Sequence, residues 1–183
     1  MTTQKSWHLR TLALLGVACG LPFGGCGATE SHSMSDMMSA LSSAIDVLKQ
    51  KVTTHKTDAA TVADLAALTS LEGTHTAEAL VVVVDLEHQM ADLQTCKGSK
   101  GELPPLGTMV PTVAAAKSEC DAHRAKISAA PDLAAARAEE TRYQEAMEKH
   151  VMALHGGHHG MSAMAGSYTC TSASHSTTGG HGH

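Results

Sequence analysis

Six histidines, His155, His158, His159, His175, His181 and His183, fall within the last 29 residues of this 183-residue chain, beside Met161, Met164 and Cys170. Imidazole is the commonest protein ligand for copper, zinc and nickel ions, and thioether sulfur suits Cu⁺. Glycines between the histidines let the backbone fold around an ion, so the tract points to metal binding. A solvated tail with drifting composition is the plain alternative. A second soft-ligand group, His32, Met34, Met37 and Met38, opens the first expected helix. Met34 and Met37 are three apart, as are Met161 and Met164. Met34 and Met38 also fall on an apolar seam, where methionine is ordinary filler.

A different set lies on the seams of the later helices. Glu72 and His75 are three apart, and so are Glu140 and Tyr143, and Cys120 and His123. A buried glutamate must find a partner or stay protonated, and His75, His123 and Tyr143 are the candidates. A Glu-x-x-His pair facing a four-helix core resembles the ferritin-like di-iron carboxylate proteins. Those carry the motif on two helices and a further Glu on each of the others. Here Tyr143 stands where a second His would be, and helix one has no carboxylate on its seam. The resemblance covers one motif; the alternatives are a buried hydrogen-bonded polar cluster or a seam that turns outward at Gly73. The chain has no Gly-x-Ser-x-Gly, no phosphate-cradling glycine loop and no Cys-x-x-Cys-His. Aromatic residues make up 2% of it, which argues against a shaped pocket for an organic substrate. The sequence therefore reads as a non-enzyme with no organic cofactor.

The elements that must position these residues repeat at an offset of 68. Lys49 matches Lys117, His55 matches His123, and Asp64-Leu65-Ala66-Ala67 matches Asp132-Leu133-Ala134-Ala135. Glu72 matches Glu140, and His75 matches Tyr143. A tandem duplication explains this, with chance likeness of Ala-rich helices as the rival. Each half reads as a helical hairpin. Met34, Met38, Leu41, Ile45, Leu48 and Val52 make one apolar seam, with His55 as its next position. Gly73 is a candidate bend in helix two, and Pro111 suits the start of helix three. Ala130-Pro131-Asp132 is a turn, and helix four fades at Gly156-Gly157.

The expected fold is all-α: an up-down four-helix bundle over residues 33–155, built from two tandem helical hairpins. A disordered His/Met-rich tail fills residues 156–183. Antiparallel order puts the start of helix one, the end of helix two, the start of helix three and the end of helix four at one pole. The metal candidates Met34, Met37, Met38, His155, His158, His159, Met161 and Met164 gather there. An unbroken helix two is roughly 50 Å long, placing Cys96 at that pole and Cys120 well down helix three. That favours a Cys96–Cys170 disulfide over Cys96–Cys120, an order that a sharp bend at Gly73 would reverse.

Residues 1–25 read as a signal peptide: Lys5, His8 and Arg10, then an apolar run from Thr11 to Phe23 too short to span a membrane. With Gly24-Gly25-Cys26 the segment resembles a bacterial lipoprotein signal, although Phe23 stands where leucine is usual. The resemblance implies cleavage before Cys26, lipidation of that residue, and a linker over 26–32. Ordinary secretion is the alternative. Gly27, where an inner-membrane retention Asp would stand, implies the outer membrane, facing the periplasm. Cleavage removes Lys5 and Arg10, so thirteen basic residues become eleven against eighteen acidic ones, a formal charge of −7. That balance argues against nucleic acid and against broad contact with anionic lipid. The functional expectation is a lipid-anchored cell-envelope protein that binds or buffers copper or zinc through its His/Met pole. The alternative is a non-enzymatic structural or protein-interaction module.

Overall fold

The structure, a computed structural model, describes residues 33–98 and 101–170. Residues 1–25, read above as a signal peptide, and Cys26, His32, His175, His181 and His183 lie outside the described residues. The chain is an all-α four-helix bundle: α1 (Met34–Thr61), α2 (Leu65–Gln94), α3 (Leu106–Ser128) and α4 (Leu133–Ser162). A two-stranded antiparallel ribbon, β1 (Cys96–Gly98) with β2 (Tyr168–Cys170), closes one end. No helix among the described residues is long and apolar enough to cross a membrane.

Local chemistry sets the helix starts. Ser33 and Asp36 form a capping box at α1, each satisfying the other's backbone N–H. Asp64 caps α2 by accepting from Ala67 N at 2.8 Å. Asp132 caps α4 by accepting from Ala135 N at 2.8 Å. These caps are 68 residues apart, and so are both ends of α2 and α4.

Burial follows the same offset. Met38, Leu41, Ile45, Leu48, Val52, His55 and Ala59 are buried on α1, and their counterparts Leu106, Met109, Val113, Ala116, Cys120, His123 and Ile127 are buried on α3. The two hairpins thus present equivalent faces to one another. The apolar core divides in two. A large cluster runs from Met38 to Val52 on α1 and from Tyr143 to Met161 on α4. A small one, Ala59, Leu68, Ile127 and Ala136, sits by the turns at the other end. The layer between them is polar.

Three boundaries differ from the sequence expectation. Helix α3 begins at Leu106, not at Pro111, which lies inside it. Leu106 and Met109 are 4% and 0% exposed, and burying them extends the helix upstream although Pro111 forfeits one backbone hydrogen bond. Helix α2 runs unbroken through Gly73. Helix α4 continues past Gly156-Gly157 to Ser162, so the tail is ordered as far as Cys170. Close approach gives the glycine a role inside that helix. A Cβ on Gly157 would lie 2.4 Å from Met109 Cγ and Sδ, so the missing side chain lets α4 seat on α3 while Met161 is buried beyond it.

Candidate metal centre

The polar layer holds one residue from each helix: His55, Glu72, His123 and Glu140. Their ligand atoms all lie within 4.8 Å of one another. The residues are 2%, 1%, 0% and 8% exposed. Glu72 Oε1 is 2.7 Å from His55 Nε2, and its Oε2 is 2.7 Å from His123 Nε2. Both oxygens of Glu140 lie 3.1 Å from His55 Nε2, and its Oε2 is 3.2 Å from His123 Nε2. Each imidazole therefore faces both carboxylates, and the two halves of the repeat meet as a ring.

Position follows from register. His55 is six residues before the end of α1, about 9 Å along the axis. Met34 is 21 residues away at the other end, about 32 Å. Glu72 and Glu140 sit at matching heights on α2 and α4, because each is eight residues after its aspartate cap. The cluster thus lies near the hairpin turns, opposite the pole that carries the disulfide.

Electrostatics hold the ring together. Burial opposes charge on His55, but hydrogen bonds and attraction from Glu140 and Glu72 outweigh it and raise its pKa to about 9. His123 is raised by the same balance. Burial acts against ionised Glu140 too, yet His123, His55 and Gln144 hold its carboxyl far below the usual carboxylate range. The raised imidazoles and the lowered Glu140 carboxyl thus stabilise one another as opposite charges in the buried layer.

The surrounding residues orient the ring. Tyr143 stacks on the His123 imidazole, centroids 3.9 Å apart at 7°. Its hydroxyl is 3.4 Å from Cys120 Sγ, a free buried thiol. Burial raises both pKa values. His123 Nδ1 has no hydrogen-bond partner. Its nearest carboxylate oxygen, Glu139 Oε1, is 3.6 Å away, beyond hydrogen-bond range. Glu139 is pinned by Arg142, which donates to its two oxygens at 2.9 and 2.6 Å. Gln144 Nε2 donates to Glu140 Oε1 at 2.7 Å.

The structure regroups the residues singled out from sequence. Glu72, His123 and Glu140 converge, with Cys120 and Tyr143 beside them. His75 does not join Glu72. It lies 3.1 Å from Asp58 Oδ2 and stacks on His55 at 5.2 Å. His55 takes the place that the Glu-x-x-His motif assigned to His75. Two signals pointed to it: its seam position and its match with His123. A di-iron carboxylate set is not assembled, since the layer has two carboxylates.

The His/Met pole is laid out differently. Met38 and Met161 are buried in the large apolar cluster, and Met34 and Met37 are partly buried against it. His158 Nε2 donates to the Met38 carbonyl oxygen at 3.2 Å. His155 Nε2 is 3.6 Å from Asp46 Oδ1, and the His159 ring is 5.9 Å from that of His158. Met164 precedes the 3₁₀ turn Ala165–Ser167. Among the described residues, the only group of three or more His, Cys, Asp or Glu side chains with converging ligand atoms is the buried ring. Cys96 and Cys170 are joined in a disulfide, with Met34 Sδ 3.6 Å from Cys170 Sγ.

Four convergent nitrogen and oxygen atoms in a buried layer could hold a metal ion. Compared with protein-family models, curated proteins and solved structures, the chain matches none of them.

Proposed function

We propose that this protein binds a divalent transition-metal ion, zinc above copper, through His55, Glu72, His123 and Glu140. The observation that carries this reading is the convergence of two imidazole nitrogens and two carboxylates, one from each helix, in a single buried layer. Bonds of 2.0–2.1 Å in a tetrahedral site set neighbouring ligand atoms about 3.3 Å apart. The nitrogen–oxygen separations here are 2.7–3.2 Å and the four ligand atoms all lie within 4.8 Å of one another, so side-chain shifts without movement of the helices bring them to that spacing. Two neutral imidazoles and two carboxylates leave a bound divalent ion electrically balanced. The donor set contains no sulfur, which favours Zn²⁺ over Cu⁺.

The resemblance of residues 1–26 to a lipoprotein signal supports a cell-envelope setting for this activity, with the chain tethered through Cys26. The His-rich tail supplies further imidazoles for loose capture of ions near the membrane. An interaction module alone gives no reason for four titratable groups in the core.

Titration of the protein with Zn²⁺, Co²⁺ and Cu²⁺, read by calorimetry and native mass spectrometry, tests the reading. One Zn²⁺ per chain is expected, bound more tightly than about 10 μM and lost in His55→Ala/His123→Ala. Removal of residues 171–183 leaves it in place. Absence of binding by the intact protein, or binding retained in the double variant, overturns the assignment.

A further inference from the structure

Glu140 differs from the other three ring residues in lining a cavity of about 290 Å³ between α1 and α4. Lys56, Ala60, Arg137, Thr141 and Gln144 form much of its wall. That volume accommodates several waters, enough for an ion with part of its hydration shell. Neither His55, Glu72 nor His123 lines it, and all three are at most 2% exposed.

Gln144 supplies an independent observation. It is 4% exposed. Its Nε2 is committed to Glu140, while its Oε1 is buried with no hydrogen-bond partner. Buried amide oxygens are ordinarily satisfied, and an amide oxygen is a good donor to a divalent cation. The two cations on the wall are tied elsewhere. Lys56 Nζ is 2.7 Å from Glu148 Oε1, and Arg137 donates to the Val62 carbonyl oxygen.

We infer that the α1–α4 cleft is the route by which the ion exchanges with solvent, and that Gln144 is its first ligand on the way in. This rests on the metal-centre reading above. The incoming cation exchanges water ligands for the Gln144 amide oxygen and for Glu140 Oε1, the oxygen beside the Gln144 amide. It then moves inward to His55, His123 and Glu72, with Glu140 staying attached throughout.

Stopped-flow transfer of Zn²⁺ to and from a fluorescent chelator tests the route on the full chain. Ala60 and Thr141 are exposed helix positions on the wall of the cleft, and enlarging either one fills it from the solvent side. In Ala60→Phe, and separately in Thr141→Phe, uptake and release are both expected to slow by about tenfold or more with the equilibrium affinity unchanged. Ala77→Phe, which fills a cavity of about 330 Å³ between α2 and α3, should change neither rate. Gln144→Leu should slow uptake more than it slows release. Native rates in both cleft-filling variants, or equal slowing by Ala77→Phe, overturn the route while the metal centre stands. Failure of the unmodified protein to take up Zn²⁺ overturns both.

Discussion

Glu72 clamps the two hairpins together through His123: Oε2 to Nε2 is 2.7 Å, with the side chains 1% and 0% exposed. The other oxygen of the same carboxylate is 2.7 Å from His55 on its own hairpin. One glutamate therefore bridges both imidazoles, and removing it leaves Glu140 as the single carboxylate facing both of them. Glu72→Ala is expected to destabilise the metal-free protein by about 3–5 kcal/mol, read as a lower urea midpoint. Glu72→Gln keeps the volume and a hydrogen-bonding oxygen and should cost less. Equal stability of Glu72→Ala and the parent protein would contradict the clamp.

The ring also sets the pH dependence of the metal-free protein. Folded His55 keeps its proton to about pH 9, whereas an unfolded histidine loses it near 6.5. Its contribution is complete below about pH 6.5 and is lost as pH rises through about 9. Glu140 is shifted downward, so its contribution is present above the ordinary glutamate value and is lost on acidification. Thermal melts across pH should show a stability maximum in the mildly acidic range and a decline toward pH 9. Zn²⁺ must displace the imidazolium protons, so its affinity should rise steeply with pH over the same interval. A flat Zn²⁺ affinity between pH 6 and 9 would count against imidazole ligation.

Gly73 sits exposed inside α2, and a Cβ built on it meets nothing within 4 Å. Gly73→Ala should therefore stabilise the protein by about 1 kcal/mol, seen as a raised melting temperature with Zn²⁺ affinity unchanged. Destabilisation would mean that the helix is not continuous there.

The disulfide and the ring lie at opposite ends of the bundle, and this separates their effects. Cys96 and Cys170 are 74 residues apart in sequence. The loop-entropy relation puts the loss in Cys96→Ser/Cys170→Ser at about 4 kcal/mol. Helical circular dichroism and Zn²⁺ binding at 25 °C should persist, because the β1–β2 ribbon touches no ring residue. Loss of metal binding in that variant would place the functional ions at the disulfide pole instead.

Helix number, hairpin order and most element limits were legible from local pattern. The Ala130-Pro131-Asp132 turn announces the start of α4, because the Asp132 cap is a contact within four residues. The failures have equally local causes. Pro111 reads as a helix start, but burial of Leu106 and Met109 outweighs one lost hydrogen bond. Gly156-Gly157 reads as a stop, but Met109 occupies the space beside Gly157, a contact 48 residues away that no window along the chain contains. The pull of the His/Met tract toward the disulfide pole arose the same way, since density of ligand types is visible in sequence while convergence of ligand atoms is not.

By itself the sequence determined that His55 and His123, and Glu72 and Glu140, are equivalent, because the 68-residue repeat gives each pair the same place on its helix. It left open whether Glu72 faces inward, since a bend at Gly73 would turn that seam outward. Only the tertiary structure decided which residues meet. Successive helix positions turn by about 100°, so His75, three residues after Glu72, leaves the bundle axis and reaches Asp58 at the edge. Glu72 stays on the axis, and the height at which it meets His55 and His123 depends on the registers of three helices. Those registers come from turn lengths and from the close seating of α4 on α3, which are properties of the assembled bundle rather than of any one segment.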